Sequence, residues 1–350
     1  MKVNMRIMSP NPLNAETPVN NLQSWVTTNA AFFKRNQEPN RTAPIALESW
    51  RLSIQGLVLK NLELSFDDIL SIPKTEVANT MECSGNGRSL LQQKASGNPW
   101  TIGGVGNAVW GGIRLSDVLA RAGVLPEASH VSFEGLDNPA SKNTNNFVRS
   151  IPLAKALDST ILAYEMNGEP LPLEHGYPLR ALALGWTGAN CVKWLSTLSL
   201  LDRPATGYFM DKVYRVFQKG EESQTGQVVT SLPLKSIITS PGNGATFPKG
   251  MVVIRGAAFA GEGDVARVEV SVDNGASWQD AAFVGPHQRY SWRRWEYPWK
   301  ASIPGEHTIM ARATDDRGTV QPLTASWNVL GYGNNGSREH GIIITIGGGD

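Results

Sequence analysis

The sequence predicts an α+β domain followed by an all-β sandwich of the immunoglobulin type. Strand-like and helix-like segments alternate from Arg51 to about Arg203, whereas after Ser231-Leu232-Pro233 only short β-runs recur. The chain has 350 residues, enough for two domains with separate hydrophobic cores. Hydrophobic residues make up 41% and charged residues 18%, with 35 Gly and 21 Pro, a globular composition rich in turns and short strands.

Residues 1–50 read as an irregular polar arm packing on the first domain, broken by Pro10, Pro12, Pro18, Pro39 and Pro44. Within the first domain, 51–231, β-rich runs predict strands at 51–57, 76–81, 131–134, 161–165 and 179–184. Ser65 stands where it would cap a short helix over 65–72, and 116–122 reads as a helix that Gly123 ends. The second domain, 232–350 including a carboxy-terminal tail, carries strand-like runs at 254–258, 265–272, 277–283, 291–299, 307–313 and 325–329. Asn274-Gly275, between a Val-rich and a Trp-containing run, marks a hairpin. The Cys…Trp…Cys spacing of antibody domains is missing, so the sandwich rests on strand pattern alone.

A formal net charge of +1 gives no global attraction to nucleic acid, which is not expected as a partner. No apolar run approaches the ~20 residues of a membrane span, and the first residues lack an apolar leader and twin arginines. The chain as written therefore reads as soluble and cytoplasmic, or periplasmic if it is a processed mature form. No C-x-x-C pair, H-E-x-x-H, G-x-x-x-x-G-K-[ST] or G-x-S-x-G occurs, which disfavours zinc, phosphate-loop and serine-hydrolase chemistry.

The positive signal is Cys83, in the glycine turn Met81-Glu82-Cys83-Ser84-Gly85-Asn86-Gly87-Arg88. A thiolate beside a cation suits nucleophilic or metal-binding work. A disulfide to Cys191 or an inert buried thiol are the alternatives from this residue alone. Arginines recur in aromatic or apolar company: Arg35 after Phe32-Phe33-Lys34, Arg180 after Tyr177-Pro178-Leu179, and Arg293-Arg294 between Trp292 and Trp295. Guanidinium groups keep their charge when partly desolvated and suit oxyanions, although any single one could serve a structural ion pair.

These residues resemble the sulfite oxidase family of molybdenum enzymes from about residue 30 to 345. Thr80-Met81-Glu82-Cys83-Ser84-Gly85-Asn86-Gly87-Arg88 is similar to the family's metal-binding cysteine loop, in the form found in bacterial members. Residues 164–172, His175-Gly176-Tyr177-Pro178-Leu179-Arg180 and Gly188-Ala189-Asn190-Cys191-Val192-Lys193-Trp194 resemble the pterin-binding core. The block from Val270 to Trp278 resembles part of the family's dimerisation domain.

The resemblance implies a molybdenum–molybdopterin cofactor with Cys83 as the only protein ligand of the metal. Arg35, Asn36, Asp137, His175, Arg180 and Lys193, with the backbone at Gly188 and Ala189, would hold the pterin and its phosphate. Arg35, Arg88 and Arg293, beside Trp100 and Tyr214, would form the oxyanion pocket, with Arg294 the neighbouring possibility. Gln37 and Val109 depart from the family pattern. The implied reaction is oxygen-atom transfer converting sulfite to sulfate. With no haem segment in the sequence, electrons would pass to a separate acceptor such as a cytochrome c or oxygen. Relatives acting on sulfane sulfur, nitrate or sulfoxides, and a scaffold with no catalysis, are the competing readings. A homodimer through the second domain is also implied.

Overall fold

The computed structural model describes residues 3–37, 45–137 and 146–348, so Pro39 and Pro44 lie outside the described residues. The arm corrects one expectation. It opens with an antiparallel hairpin of β1 (Arg6–Pro10) and β2 (Leu13–Glu16), and Ala15 bridges to Lys34. Pro10 ends the first strand and Pro12 follows it in the turn, positions that tolerate a missing N–H. Leu22 and Phe32 are fully buried, so this segment is a structural strap with its own hairpin rather than an irregular polar arm.

The first domain holds, in chain order, β3 (Leu52–Gly56), β4 (Leu62–Leu64), α1 (Phe66–Leu70), β5 (Thr75–Glu82), β6 (Val105–Arg114), α2 (Leu115–Ala122), β7 (His130–Gly135), β8 (Val148–Pro152), α3 (Leu153–Ser159), β9 (Thr160–Met166), β10 (Glu169–Pro170), β11 (Arg180–Ala183) and β12 (Leu195–Leu201). One sheet runs β4-β3-β12-β7-β8, with β3 and β12 parallel and the other pairs antiparallel. The second runs β10-β9-β6-β5, with β11 also paired to β9. Ser65 caps α1 reciprocally: its hydroxyl accepts from Asp68 N, and the Asp68 carboxylate accepts from Ser65 N. In α2, Leu115, Val118, Leu119 and Ala122 bury one face, and Gly123 (φ 71°) closes the helix by donating to Leu119 O. The glycine-rich β6 was not foreseen. A Cβ at Gly112 would sit 2.2 Å from Leu162 O, so the composition that hides this strand lets β9 approach it.

After α4 (Tyr208–Asp211) and the ribbon of β13 (Arg215–Val216) and β14 (Gln227–Val228), the sandwich begins at β15 (Lys235–Ser240). It continues with β16 (Thr246–Phe247), β17 (Gly250–Phe259), β18 (Val265–Ser271), β19 (Gln279–Asp280), β20 (Ala282–Val284), β21 (Arg293–Ala301), β22 (Gly305–Asp315) and β23 (Ile342–Ile346). The sheets are β15-β17-β21-β20 and β16-β23-β22-β18-β19. Trp295 fills the core, and Gly256 makes room for it, since a Cβ there would lie 2.1 Å from the indole. Asn274 and Gly275 both take positive φ in the β18–β19 hairpin, where the Asp273 carboxylate accepts from Ser277. The run 277–283 is not one strand: β19 pairs in one sheet and β20 in the other. Residues 325–329 form no strand. They belong to an extended segment that returns to the first domain, where Val329 O accepts from Ser96 N.

Leu22, Leu232, Ile237, Ala257, Phe259 and Trp292 form a shared core between the strap and the sandwich. Beside it, Lys235 Nζ meets Glu82 Oε1 at 2.6 Å, both side chains at most 2% exposed. The last strand of the cysteine region and the first strand of the sandwich are thus joined by a buried ion pair.

Candidate functional site

Strand β5 ends at Glu82, and the chain then turns through Cys83, Ser84, Gly85 and Asn86. Cys83 N donates to Gly104 O (2.8 Å), and Asn86 N donates back to Cys83 O (2.8 Å). The Asn86 side chain locks the turn further, donating to Glu82 Oε1 (2.8 Å) and accepting from Gly104 N (2.8 Å). Gly87 has φ 82°, and a Cβ at Gly85 would lie 2.3 Å from Arg88 Nη2, so both glycines are required by the turn and its arginine. Cys83 and Cys191 are both free and buried, which removes the disulfide alternative. Burial pushes the Cys83 thiol up, while the Arg35 and Arg88 guanidinium groups pull it down.

A cleft opens beside Cys83 and gathers Arg35, Asn36, Asp137, His175, Arg180, Gly188, Ala189, Lys193 and Tyr214. Arg35 and Asn36 reach it from the strap, where Asn14 Oδ1 accepts from Arg35 Nη1 (3.0 Å) and from Asn36 N (3.1 Å). Arg180 donates to His175 O (2.8 Å) and Cys191 O (3.1 Å), with its guanidinium 5.1 Å from the Trp110 ring centre. Its Nε is buried without a partner, and burial lowers its pKa to about 10. Lys193 Nζ donates to Asn36 Oδ1 and to Glu174 O. Desolvation in the cleft, then the neighbouring Arg180, pushes this amine down to about 7 against the opposing pull of Asp137. His175 is held neutral, at about 3, by burial and the adjacent cations, with Nε2 donating to Asn29 O (3.3 Å). Two carboxylates, Asp137 and Glu174, line the same cleft and act on Lys193, opposing the fall in its pKa.

Three expected pocket residues are placed differently. Arg88 stands behind the cleft wall: Nε donates to Leu330 O (2.9 Å) and Nη1 to Asn98 O (2.7 Å), so it reaches Cys83 through its field. Trp100 is fully buried edge-on against Phe33 rather than lining the cleft. Arg293 is not part of this site. It lies on β21, its guanidinium 3.6 Å from the Phe283 ring centre and donating to Val265 O (3.1 Å). Arg294 does not replace it, because its side chain donates to Leu22 O and Thr239 Oγ1 at the strap interface. Gln37, noted only as a departure, is a site residue whose Nε2 donates to the Tyr214 hydroxyl (2.5 Å). Val109 sits within β6, away from the cleft. Phe147, Met81, Glu174 and Cys191 also line the cleft and were not foreseen in that role; only their closeness in sequence to Cys83, His175 and Lys193, for the last three, pointed there.

This geometry fits a molybdenum–molybdopterin group. Cys83 offers a soft donor on the glycine turn, and among the described residues no three His, Cys, Asp or Glu side chains cluster as a self-sufficient metal site. The orphaned Arg180 Nε, with Arg35 and Lys193 in the same cleft, suits a phosphate-bearing organic ligand.

A family model for the oxidoreductase molybdopterin binding domain matches residues 40–209, and one for the Mo-co oxidoreductase dimerisation domain matches 226–342. The chain is 38% identical to the mitochondrial sulfite oxidase of Rattus norvegicus across 97% of its own length and 66% of that protein's, just under two thirds. It is 32% identical to the sulfite oxidase of Arabidopsis thaliana, covering 98% of this chain and 94% of the relative. The solved sulfane dehydrogenase SoxCD from Paracoccus pantotrophus superposes with a TM-score of 0.85 at 29% identity, covering 99% of this chain and 91% of that one. With the cysteine loop, the cationic cleft and both domain matches in one order, the chain belongs to the sulfite oxidase family of molybdopterin-dependent oxidoreductases.

Proposed function

We propose that the protein oxidises sulfite to sulfate by oxygen-atom transfer and passes the electrons to a separate acceptor. The carrying observation is the cleft itself, in which Cys83 on its glycine turn is gathered with Arg35, Arg180 and Lys193, and the Arg35 and Arg88 guanidinium groups pull its thiol down. The molybdenum–molybdopterin group, when bound, supplies the oxygen atom and accepts two electrons. Overall, sulfite and water give sulfate, two protons and two electrons. Cys83 would hold the metal as thiolate, with its deprotonation favoured by the cation. Arg180, Lys193, His175, Asn36 and Asp137, with the backbone at Gly188 and Ala189, would hold the pterin and its phosphate. Arg35 would bind the oxyanion directly, and Arg88 would add positive potential from behind. The Tyr214 hydroxyl, accepting from Gln37, keeps its proton free to donate to an oxygen in the cleft. These groups act by position and charge.

The acceptor is proposed to be a cytochrome c type protein or oxygen, and the sandwich is proposed to pair two copies, in line with its match to the dimerisation domain. The test is sulfite-dependent ferricyanide reduction by protein containing one molybdenum per chain. Turnover supports the reading, and silence from fully loaded protein rejects it. Sulfane sulfur is the second reading, favoured by the likeness to SoxCD and by Arg293 standing outside the cleft. A loaded enzyme that oxidises a sulfane donor and ignores sulfite would select it.

A further inference from the structure

Four side chains from distant parts of the sequence stack in one column next to the cleft. The rings of Tyr214 and Tyr332 lie nearly parallel, with centres 5.6 Å apart and planes inclined by 16°. The Arg88 guanidinium stands 5.5 Å from the Tyr332 ring centre, and the Arg149 guanidinium 5.3 Å from that of Tyr214. A stacked aromatic pair is thus bracketed by two cations, each attracted to a ring face. Only Tyr214 among the four lines the cleft.

Tyr332 is firmly placed. Its own N–H donates to Asn328 Oδ1 (3.0 Å), Asn328 Nδ2 donates to Tyr332 O (2.8 Å), and Tyr214 N donates to the Tyr332 hydroxyl (3.4 Å). Arg149 is equally fixed and fully buried, donating to Phe209 O and to Asn190 Oδ1 (2.9 Å). Tyr214, in contrast, has φ 56°, a left-handed backbone that a tyrosine holds only where its surroundings impose it. Tyr332 packs its ring on that of Tyr214 and also stands against the Arg88 guanidinium.

We propose that Tyr332, carried by the segment after the sandwich strand β22, is a positioning residue for the reaction given above. It sets the ring of Tyr214, and so the hydroxyl shown to the cleft, and it holds Arg88 next to Cys83. This rests on the sulfur-oxyanion reading of the cleft, so sulfate affinity is measured beside sulfite turnover.

The experiment compares molybdenum-loaded wild type, Tyr332→Phe and Tyr332→Leu. Tyr332→Leu is expected to raise the sulfite KM and the sulfate Kd about tenfold, with kcat within about threefold, because binding geometry is disturbed while the metal site is kept. Tyr332→Phe keeps the stack and is expected to stay within about twofold of wild type in all three. In a Tyr214→Phe background, the Tyr332→Leu effect is expected to shrink, since the hydroxyl it positions is gone. Unchanged KM and Kd in Tyr332→Leu would overturn the proposal, as would equal damage in Tyr332→Phe, which would assign the role to the hydroxyl instead of the ring. Should Tyr332→Leu not take up molybdenum, Tyr332→His, which keeps a flat ring, takes its place: a smaller shift in the same direction supports the proposal and none overturns it. Wild type that binds sulfate without oxidising sulfite would defeat the substrate assignment, and the Tyr332 proposal would then stand or fall on sulfate affinity.

Discussion

Two buried cations on either side of the cysteine loop are treated in opposite ways. Lys235, at the seam with the sandwich, is matched at 2.6 Å by the Glu82 carboxylate. Arg180, in the cleft, has only carbonyls, a thioether and an indole face for company. Carbonyl dipoles satisfy donor geometry and leave the net charge in place, whereas a carboxylate cancels it. The seam therefore cancels its buried charge, whereas Arg180 keeps its charge available to an anion.

The contrast is broken most forcefully at the seam. Lys235→Met leaves Glu82 buried and unpaired, and thermal or denaturant unfolding should show a loss of about 3–5 kcal/mol. Adding Glu82→Gln should recover most of it; a single variant as stable as wild type would mean that the pair is not closed in solution. In the cleft, the equivalent change should act on the ligand instead. Lys193→Met should weaken cofactor retention by about 10- to 100-fold, the value of a charge-assisted hydrogen bond, and raise the cofactor-free protein's unfolding midpoint at neutral pH. This follows because burial pushes the amine down to about 7, so folding at neutral pH works against a proton that the unfolded chain keeps.

Acid sharpens the comparison, because each region buries one neutral histidine: His175 in the cleft and His340 near Lys235, both at about 3. Below the unfolded value of about 6.5 the unfolded chain takes up protons that the folded chain refuses. Stability in the cofactor-free protein should thus fall as pH drops from about 6.5 toward 3, by up to about 1.4 kcal/mol per pH unit for each histidine. His175→Gln and His340→Gln should each flatten that slope, and an unaltered slope would show the histidines to be protonated in the fold. The smallest effect lies outside both regions: Ser65→Ala, which removes the α1 cap, should cost about 1 kcal/mol.

Local signals were legible and long-range ones were not. Ser65 and Gly123 mark their helix ends through chemistry confined to a few neighbours, and the Cys83 loop announces itself by its glycines. The adjacent Arg293 and Arg294 show the limit. On strand β21 successive side chains point to opposite faces, so a pair of arginines serves two destinations, the Phe283 ring and the strap carbonyl of Leu22. Nothing in their spacing says which, if either, faces the cleft. Tyr332, Arg149 and Lys235 acquire their roles only from contacts with residues far along the chain. Gln37 was visible as a departure, but its bond to Tyr214 spans 177 positions and needs the fold to be seen.

The cysteine loop is fastened by the far end of the chain. Gly333 N donates to Ser84 O, Asn334 Nδ2 donates to Gly87 O, and Arg88 donates to Leu330 O, contacts that each span at least 242 positions. During synthesis, at about 5–20 residues per second, Cys83 leaves the ribosome roughly ten to fifty seconds before its fasteners exist. A finished cysteine loop is consequently a report that translation has passed Asn334. Nascent chains arrested before Leu330 should carry Cys83 and yet retain no molybdenum, while release of the whole chain should restore uptake.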